Sequence, residues 1–141
     1  MHPIIQYQQD LAHRIEESSG LTNWRDWKWQ LKHSVRTIEK FQSLTGIQFS
    51  GQEHELLQKT LEKFPLSITP YYLSLIDVQN YQNDPVFRQS FADPREMIID
   101  KAEWSDPLAE DEDSPVPGVT HRYPDRVLFL VTGFCSTYCR Y

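Results

Sequence analysis

The sequence predicts an α/β fold in which a helical N-terminal region, residues 1–105, leads into a first β-strand, so that the fragment itself is mostly helical. Three observations support this. Apolar residues recur every three or four positions between Leu11 and Phe64, the spacing of amphipathic helices. Residues 106–119 are rich in carboxylates and prolines and form a connector. Residues 120–141 hold one apolar run followed by two cysteines.

Composition and charge exclude two classes of partner. The 141 residues have the length of one domain, with 39% apolar and 13% aromatic residues. Because 14 Lys and Arg face 20 Asp and Glu, the net charge is −6, which argues against nucleic acid and an anionic membrane as partners. The first residues lack the features of an export signal, and the longest apolar run is Val127–Val131. We therefore expect a cytoplasmic protein with reduced thiols.

The first helix is weakly amphipathic. It carries Leu11 and Ile15 on one face and extends to about Glu17, where Ser18 to Gly20 interrupt it. Asn23 then caps a long second helix that Gly46 ends. Its apolar stripe consists of Trp24, Trp27, Leu31, Val35, Ile38 and Phe41. We expect the tryptophans at 24 and 27 to be buried against a domain or subunit.

Capping signals predict the later helices. Ser50 and Glu53 match a capping box, and Pro65 stops the helix that follows it. Asp84 and Asp93 each precede a proline, which predicts two short helices. Residues 67–76 are apolar without a clear period, so the segment is buried and its structure stays open; Tyr71 and Tyr72 are assigned to the core.

At the end of the chain, the sequence predicts a strand that is followed by a loop. The run Arg126 to Thr132 predicts a strand buried on both faces, as in a parallel sheet. The loop that follows, Gly133 to Tyr141, lies where α/β folds place their chemistry. The acidic run Asp111 to Asp113 is read as solvated charge rather than as a cation site.

Cysteine spacing alone leaves several interpretations open. Cys135 and Cys139 could be neighbours on a helix, small apolar residues, or half of a zinc site, with His121 folding close. A third cysteine directly after Tyr141 would complete a ligand set for an iron-sulfur cluster. Three thiolates on a 4Fe-4S cube leave one iron open to a small chelating molecule. Likewise, Arg122 and Arg126 could bind a phosphate or merely neutralise the connector.

Several long motifs, in order, resemble one family. They are residues 24–30, 68–77, 106–118, 120–126 and 135–140. Together they look like the lysine 2,3-aminomutase family of radical S-adenosylmethionine enzymes, over roughly residue 24 to the end. The resemblance implies a radical-SAM partial (β/α) barrel of which this chain holds the first strand, the rest being truncated.

The resemblance also implies cofactors and the residues that bind them. Cys135 and Cys139 match two of the three thiolates of a 4Fe-4S cluster. The open iron would bind S-adenosyl-L-methionine, against which Tyr141 would lie, and would yield a 5′-deoxyadenosyl radical. Pyridoxal 5′-phosphate would carry the substrate amine, its phosphate held by Arg122, Tyr123 and Arg126.

The implied function is an isomerase that moves an amino group from C2 to C3 of an amino acid, L-lysine foremost. Arginine, glutamate and a lysine on a protein are alternative substrates, because Gly133 stands where an acidic residue is expected. An electron donor for the cluster and a homo-oligomer are further expectations for the full-length enzyme. No catalytic residue lies within the fragment, which alone is expected to be inactive. The alternative of another class is an acidic helical interaction module without metal.

Overall fold

A computed structural model describes residues 3–17, 21–98, 104, 106–133 and 135–139 of the chain. The chain divides into two compact units. The helical unit comprises residues 1–97 together with 136–141, and the hairpin unit comprises residues 98–135. No helix in the described ranges combines the length and the apolar character that a membrane crossing requires.

Short helices make up the described part of the helical unit. Its α-helices are α1 (Pro3–Ile15), α2 (Leu21–Trp24), α3 (Trp27–Lys32), α4 (Ile38–Thr45), α5 (Gly51–Lys63), α6 (Pro70–Leu73) and α7 (Pro85–Ser90). Two 3₁₀ turns lie at Tyr81–Asn83 and Pro94–Met97. Their apolar faces enclose one core, whose largest fully buried side chains include Phe41, Leu11 and Ile68.

An aromatic cluster surrounds Phe41 at the centre of this core. The Phe41 ring lies 4.7 Å from that of Phe91 and 5.8 Å from that of Phe87, measured between centroids. Phe49 and Tyr81 extend the cluster, with edge-on contacts from Tyr81 to Phe49 and Phe87. Such tilted and edge-on pairs are the favoured aromatic geometries, so the cluster joins α4 to α7 by specific contacts.

Local signals in the sequence predicted several boundaries correctly. The first helix ends at Ile15, and α5 begins with the predicted capping box, in which the Glu53 amide donates to Ser50 Oγ over 3.3 Å. Gly46 ends α4 in the left-handed region with φ of 79°, where a Cβ is disfavoured. Asp84 caps α7 by accepting from the Phe87 amide at 2.7 Å. The predicted Ser18–Gly20 break lies outside the described residues.

The prediction of one long second helix is wrong. Asp26 starts α3 by accepting from the Lys28 amide, and Thr37 starts α4 by accepting from the Lys40 amide. Between these helices, Val35 pairs with Ile68 through two backbone hydrogen bonds of 2.7 and 3.1 Å. Two capping residues and a pairing partner distant in sequence therefore prevent a continuous helix.

Two aromatic residues that were expected to be buried are not buried in the described core, although burial of Trp27 against a subunit stays a prediction. Trp24 is buried as predicted, but the side chain of Trp27 is 65% exposed, and Trp29 is buried instead. Tyr71 is 49% exposed, whereas Tyr72 packs against the core. Trp27 is the first residue of α3, which begins after the N-cap Asp26, so it does not continue the face of α2 that carries Trp24.

The hairpin unit differs from the predicted buried strand. Its strands β1 (Val119–Tyr123) and β2 (Arg126–Phe129) pair antiparallel, and all four residues of β2 are exposed. A strand therefore forms at the predicted place, but it is not parallel or buried on both faces in the described residues. The reason is the turn at Pro124 and Asp125, which returns the chain directly onto its predecessor. The barrel stays a prediction.

Candidate functional site

The hairpin turn places Tyr123 opposite Arg126. These residues are paired across the strands, and the loop between them consists of Pro124 and Asp125. The Arg126 guanidinium carbon lies 5.6 Å from the centre of the Tyr123 ring, a cation–π arrangement. The turn therefore combines a permanent positive charge and a phenolic hydroxyl on one face of the ribbon.

A β-bulge separates Arg122 from this pair. Thr120 is paired with Leu128 and Tyr123 with Arg126, so His121 and Arg122 together oppose the single residue Val127. Consecutive side chains of a strand point to opposite faces, so Arg122 lies on the face opposite to the paired residues Tyr123 and Arg126. The structure thus brings together two of the three predicted phosphate ligands and not the third.

Arg126 is paired with its neighbour in the turn. Its Nε and Nη2 donate to the two carboxylate oxygens of Asp125 over 3.0 and 2.8 Å. These hydrogen bonds lower the pKa of Asp125 below its usual value. The side chains are 71% and 63% exposed, so the pair is screened by water and leaves Arg126 open to a competing anion.

Arg122 is held by the acidic connector. Its Nε donates to Asp113 Oδ2 over 2.7 Å, and its Nη2 donates to the backbone carbonyl of Leu108. The hydrogen bond that Arg122 donates to Asp113 raises the pKa of Arg122 above its usual value. Asp113 was predicted to be part of a solvated charge run, and that reading is wrong for this residue.

The connector itself is folded by short-range hydrogen bonds. Asp106 Oδ2 accepts from the Asp111 amide over 2.9 Å, and the amides of Asp111 and Glu110 are the main causes of a lowered pKa of Asp106. Asp113 is attached a second time, since its carbonyl accepts from the His121 amide over 2.7 Å. The predicted connector therefore has no regular structure but a defined path into β1.

Both cysteines are reduced and exposed. Cys139 belongs to the helical unit, where its thiol lies 4.0 Å from the Thr137 carbonyl. Together with Tyr138 it borders an open groove that is also lined by Phe49, Tyr81, Arg88 and Glu96. In the described ranges no three His, Cys, Asp or Glu side chains are arranged to hold a metal ion. Tyr141 and Arg140 lie outside the described residues.

The donor types fit the predicted cofactors in part. Guanidinium groups and a hydroxyl are suited to a phosphate dianion, and Tyr123 and Arg126 present both on one exposed face. Free, exposed thiols are suited to iron, but Cys135 and Cys139 are two ligands where a cluster with one open iron takes three. The sequence left open that Arg122 neutralises the connector, but it did not identify Asp113 and Leu108 as its partners, since the fold of the connector brings them to Arg122.

Comparison with known proteins relates the chain to amino-acid mutases. No family model matches it. It is 48% identical to an L-lysine 2,3-aminomutase of Methanococcus maripaludis over 91% of its own length and 30% of that protein. It is 52% identical to an L-lysine 2,3-aminomutase of Bacillus subtilis over 84% of its length and 24% of that protein. It is 34% identical to a glutamate 2,3-aminomutase of Clostridioides difficile, over 84% and 27%.

These relatives are amino-acid 2,3-aminomutases, which are isomerases. The chain belongs to the L-lysine 2,3-aminomutase family. It spans about a quarter to a third of the length of these relatives. The family predicted from the motifs is thus confirmed.

Proposed function

We propose that this chain is the N-terminal part of an L-lysine 2,3-aminomutase, an enzyme that moves the amino group of L-lysine from C2 to C3. The observation that carries the proposal is the difference in identity between two groups of relatives. Those named L-lysine 2,3-aminomutase reach 52%, whereas the one named glutamate 2,3-aminomutase reaches 34% over the same 84% of the chain. The motifs around Arg122 and Cys135 support the family, whereas Gly133 keeps glutamate, arginine and a lysine on a protein as alternative substrates.

The chain's own residues have two roles in this proposal. Cys135 and Cys139 supply two thiolates to a 4Fe-4S cluster, and Arg122, Tyr123 and Arg126 bind the phosphate of pyridoxal 5′-phosphate. When bound, pyridoxal phosphate carries the amino group, and the cluster with S-adenosylmethionine supplies the 5′-deoxyadenosyl radical that moves a hydrogen atom. Tyr141 stays assigned to S-adenosylmethionine. An electron donor, a homo-oligomer and a cytoplasmic location belong to the proposal too.

The phosphate-binding residues act by charge and orientation. Arg126 replaces one exposed anion by another when it leaves the Asp125 carboxylate for a phosphate, so little desolvation is required. Tyr123 can donate its hydroxyl to the same phosphate, because it already lies beneath the Arg126 guanidinium. Pro124 restricts the backbone of the turn between them, which favours the hairpin that pairs Tyr123 with Arg126.

A substrate panel tests the reaction. The full-length product of the gene, prepared without oxygen and supplied with the three cofactors, should convert L-lysine to the 3-amino isomer with a higher kcat/KM than L-glutamate or L-arginine. NMR of L-lysine labelled at C2 and C3 measures the product directly. A preference for glutamate would assign the protein to the second candidate, which the relative from Clostridioides difficile supports. The 141-residue chain should show no turnover.

The iron content of variants tests whether Cys135 and Cys139 bind the cluster. In the full-length protein reconstituted with iron and sulfide, Cys135→Ser and Cys139→Ser should each abolish the cluster, because a thiolate is lost from its ligand set. The control is Ser136→Ala in the same exposed loop, which should retain iron and acid-labile sulfide. Full cluster content in either cysteine variant would contradict the ligand assignment of that cysteine. Failure of the unaltered full-length protein to take up iron would favour the interaction module without metal.

A further inference from the structure

One edge of the hairpin carries a run of exposed apolar residues. From Val127 to Val131 every residue is apolar, and the exposed fraction of each lies between 54% and 77%. In the described residues the sheet consists of β1 and β2 alone, so one edge of β2 has no strand beside it. An apolar run that is exposed on both faces of an edge strand is a typical site for pairing with another strand.

The backbone groups of alternate residues point to this free edge. The Leu130 amide donates to the Gly118 carbonyl over 2.8 Å, so the N–H of Leu130 points towards β1. In a strand the backbone groups of successive residues point to opposite edges. The N–H and C=O groups of Val127, Phe129 and Val131 therefore point away from β1, where they can bind a second antiparallel strand.

The sequence of this run reads the same in both directions. It is Val-Leu-Phe-Leu-Val, with Phe129 at its centre. If two copies pair antiparallel about a twofold axis through Phe129, Val127 lies opposite Val131 of the second copy and Leu128 opposite Leu130. The residues whose backbone groups point to the free edge then face each other, so each such pair exchanges two hydrogen bonds. The run is thus complementary to itself, as an isologous contact requires.

The run lacks the features that normally keep an edge strand from pairing. Such edges are protected by charged side chains, by proline or by a bulge within the strand. Residues 127–131 contain no charge and no proline, and the β-bulge of the ribbon lies in β1. In the register through Phe129, Arg126 lies opposite Thr132 of the second copy, so no like charges meet at the ends of the run.

We propose that the free edge of β2 is a self-association site, at which two copies of the 141-residue chain pair through residues 127–131 as antiparallel strands. The occupant is a second copy because the run matches itself in side chains and in backbone direction. Pairing joins two ribbons, each marginally stable alone, into one four-stranded sheet, which stabilises both. The proposal does not depend on the proposed reaction, since no residue assigned to a cofactor lies in the run.

Amide exchange of the 141-residue chain at two concentrations tests the pairing. In about 0.15 M salt, which screens the net charge of −6, the chain is compared at about 50 μM and about 1 mM. At the lower concentration the amide of Leu130, which is bonded to β1, should be protected and those of Val127, Phe129 and Val131 should not. At the higher concentration these three amides should become protected, and sedimentation of the same sample should show a dimer.

Charge variants test the register. One variant combines Val127→Lys with Val131→Lys, and the other combines Val127→Glu with Val131→Glu. Each alone should dimerise about tenfold more weakly than the unaltered chain, because like charges face each other across the axis. An equal mixture of the two should dimerise again, since every facing pair then has opposite charges.

Leu56→Lys is the matched control. It places a charge on an exposed apolar residue of α5, outside the run, and should leave the dissociation constant unchanged. In all variants the amides of Val35 and Ile68, which are bonded to each other's carbonyls, report that the helical unit stays folded. Recovery in the mixture excludes misfolding of the ribbon as the cause of weaker association.

Three results would each overturn the proposal. A chain that stays monomeric at about 1 mM has no such site. Protection of the Val127, Phe129 and Val131 amides that is equal at both concentrations would show that another part of the same chain covers the edge. Association that persists in both charge variants, or that is not restored in their mixture, would place the contact in another register or on another surface.

Discussion

Individual carboxylates in this chain are placed where they organise the backbone. In the helical unit, the carboxylates of Glu53 and Asp84 accept from backbone amides at the starts of helices. In the hairpin unit, the carboxylate of Asp106 accepts from an amide and that of Asp113 from a guanidinium. Each of these contacts is local in sequence or links neighbouring turns. An acidic composition therefore has structural consequences here beyond the net charge of −6.

Asp106 gives the connector a pH dependence. The amides of Asp111 and Glu110 are the main causes of its lowered pKa, and Arg122 adds a small further effect. Since the folded-state pKa lies below that of an unfolded aspartate, about 3.9, its stabilisation is complete above that pH and is lost as pH falls through the folded value. Carbon-detected NMR should show the Asp106 carboxyl titrating below 3.9, with the Asp111 amide losing protection in the same range.

Two variants test whether the backbone amides cause the lowered pKa of Asp106. Asp106→Asn should remove the pH dependence of the Asp111 amide, because the ionisable acceptor is gone. Arg122→Ala should raise the pKa of Asp106 only slightly, since the backbone amides remain. Titration of Asp106 at or above the usual aspartate value would refute the contact between its carboxylate and the Asp111 amide.

At the scale of elements, the sequence predicted burial better than helix boundaries. Trp24, Val35, Ile38 and Phe41 were assigned to one apolar stripe, and all four are buried. They lie in α2, a β-bridge and α4, however, because Asp26 and Thr37 accept from nearby amides. A capping residue inside a helical pattern is visible in sequence, but whether it stops the helix depends on tertiary contacts.

The contact that interrupts the predicted long helix joins two residues that are distant in sequence. Val35 exchanges two backbone hydrogen bonds with Ile68, whose segment had no clear period and was left undecided. Gln30 adds another link, accepting from the Tyr71 amide over 2.8 Å. By contrast, the capping box at Ser50 and the Asp84–Pro85 start of α7 need only neighbouring residues, and both were predicted correctly.

In the candidate site too, contacts between neighbouring residues could be predicted, whereas contacts that depend on the fold could not. Motifs identified Arg122, Tyr123 and Arg126 as a group, and the Pro124–Asp125 turn explains why Tyr123 meets Arg126. The apolar run after Arg126 was interpreted as a buried parallel strand, although the turn residues before it are typical of a hairpin. The bulge could not be predicted, because it depends on the register between two strands. That Arg122 pairs with the connector was one of two open interpretations, but its partner Asp113 could not be identified without the fold of the connector.

At the scale of the whole molecule, the two units differ in what stabilises them. The core residues from Leu11 to Phe91 all belong to the helical unit, whereas β1 and β2 form a two-stranded ribbon with β2 fully exposed. An isolated hairpin of this kind is marginally stable in water. The relatives are three to four times longer than the matched segment.

Hydrogen exchange of the 141-residue chain measures this difference. The amides of Val35 and Ile68 are hydrogen-bonded to each other's carbonyls and fully buried, so they should open only with the helical unit. The Leu130 amide, which donates to the Gly118 carbonyl over 2.8 Å, should exchange about 100-fold faster relative to its intrinsic rate. Phe41→Ala should accelerate exchange at Val35 and Ile68, because it opens a cavity in the core, while the exposed Phe129→Ala should not. Equal protection of Leu130 and Val35 would contradict the view that the ribbon is the weaker unit.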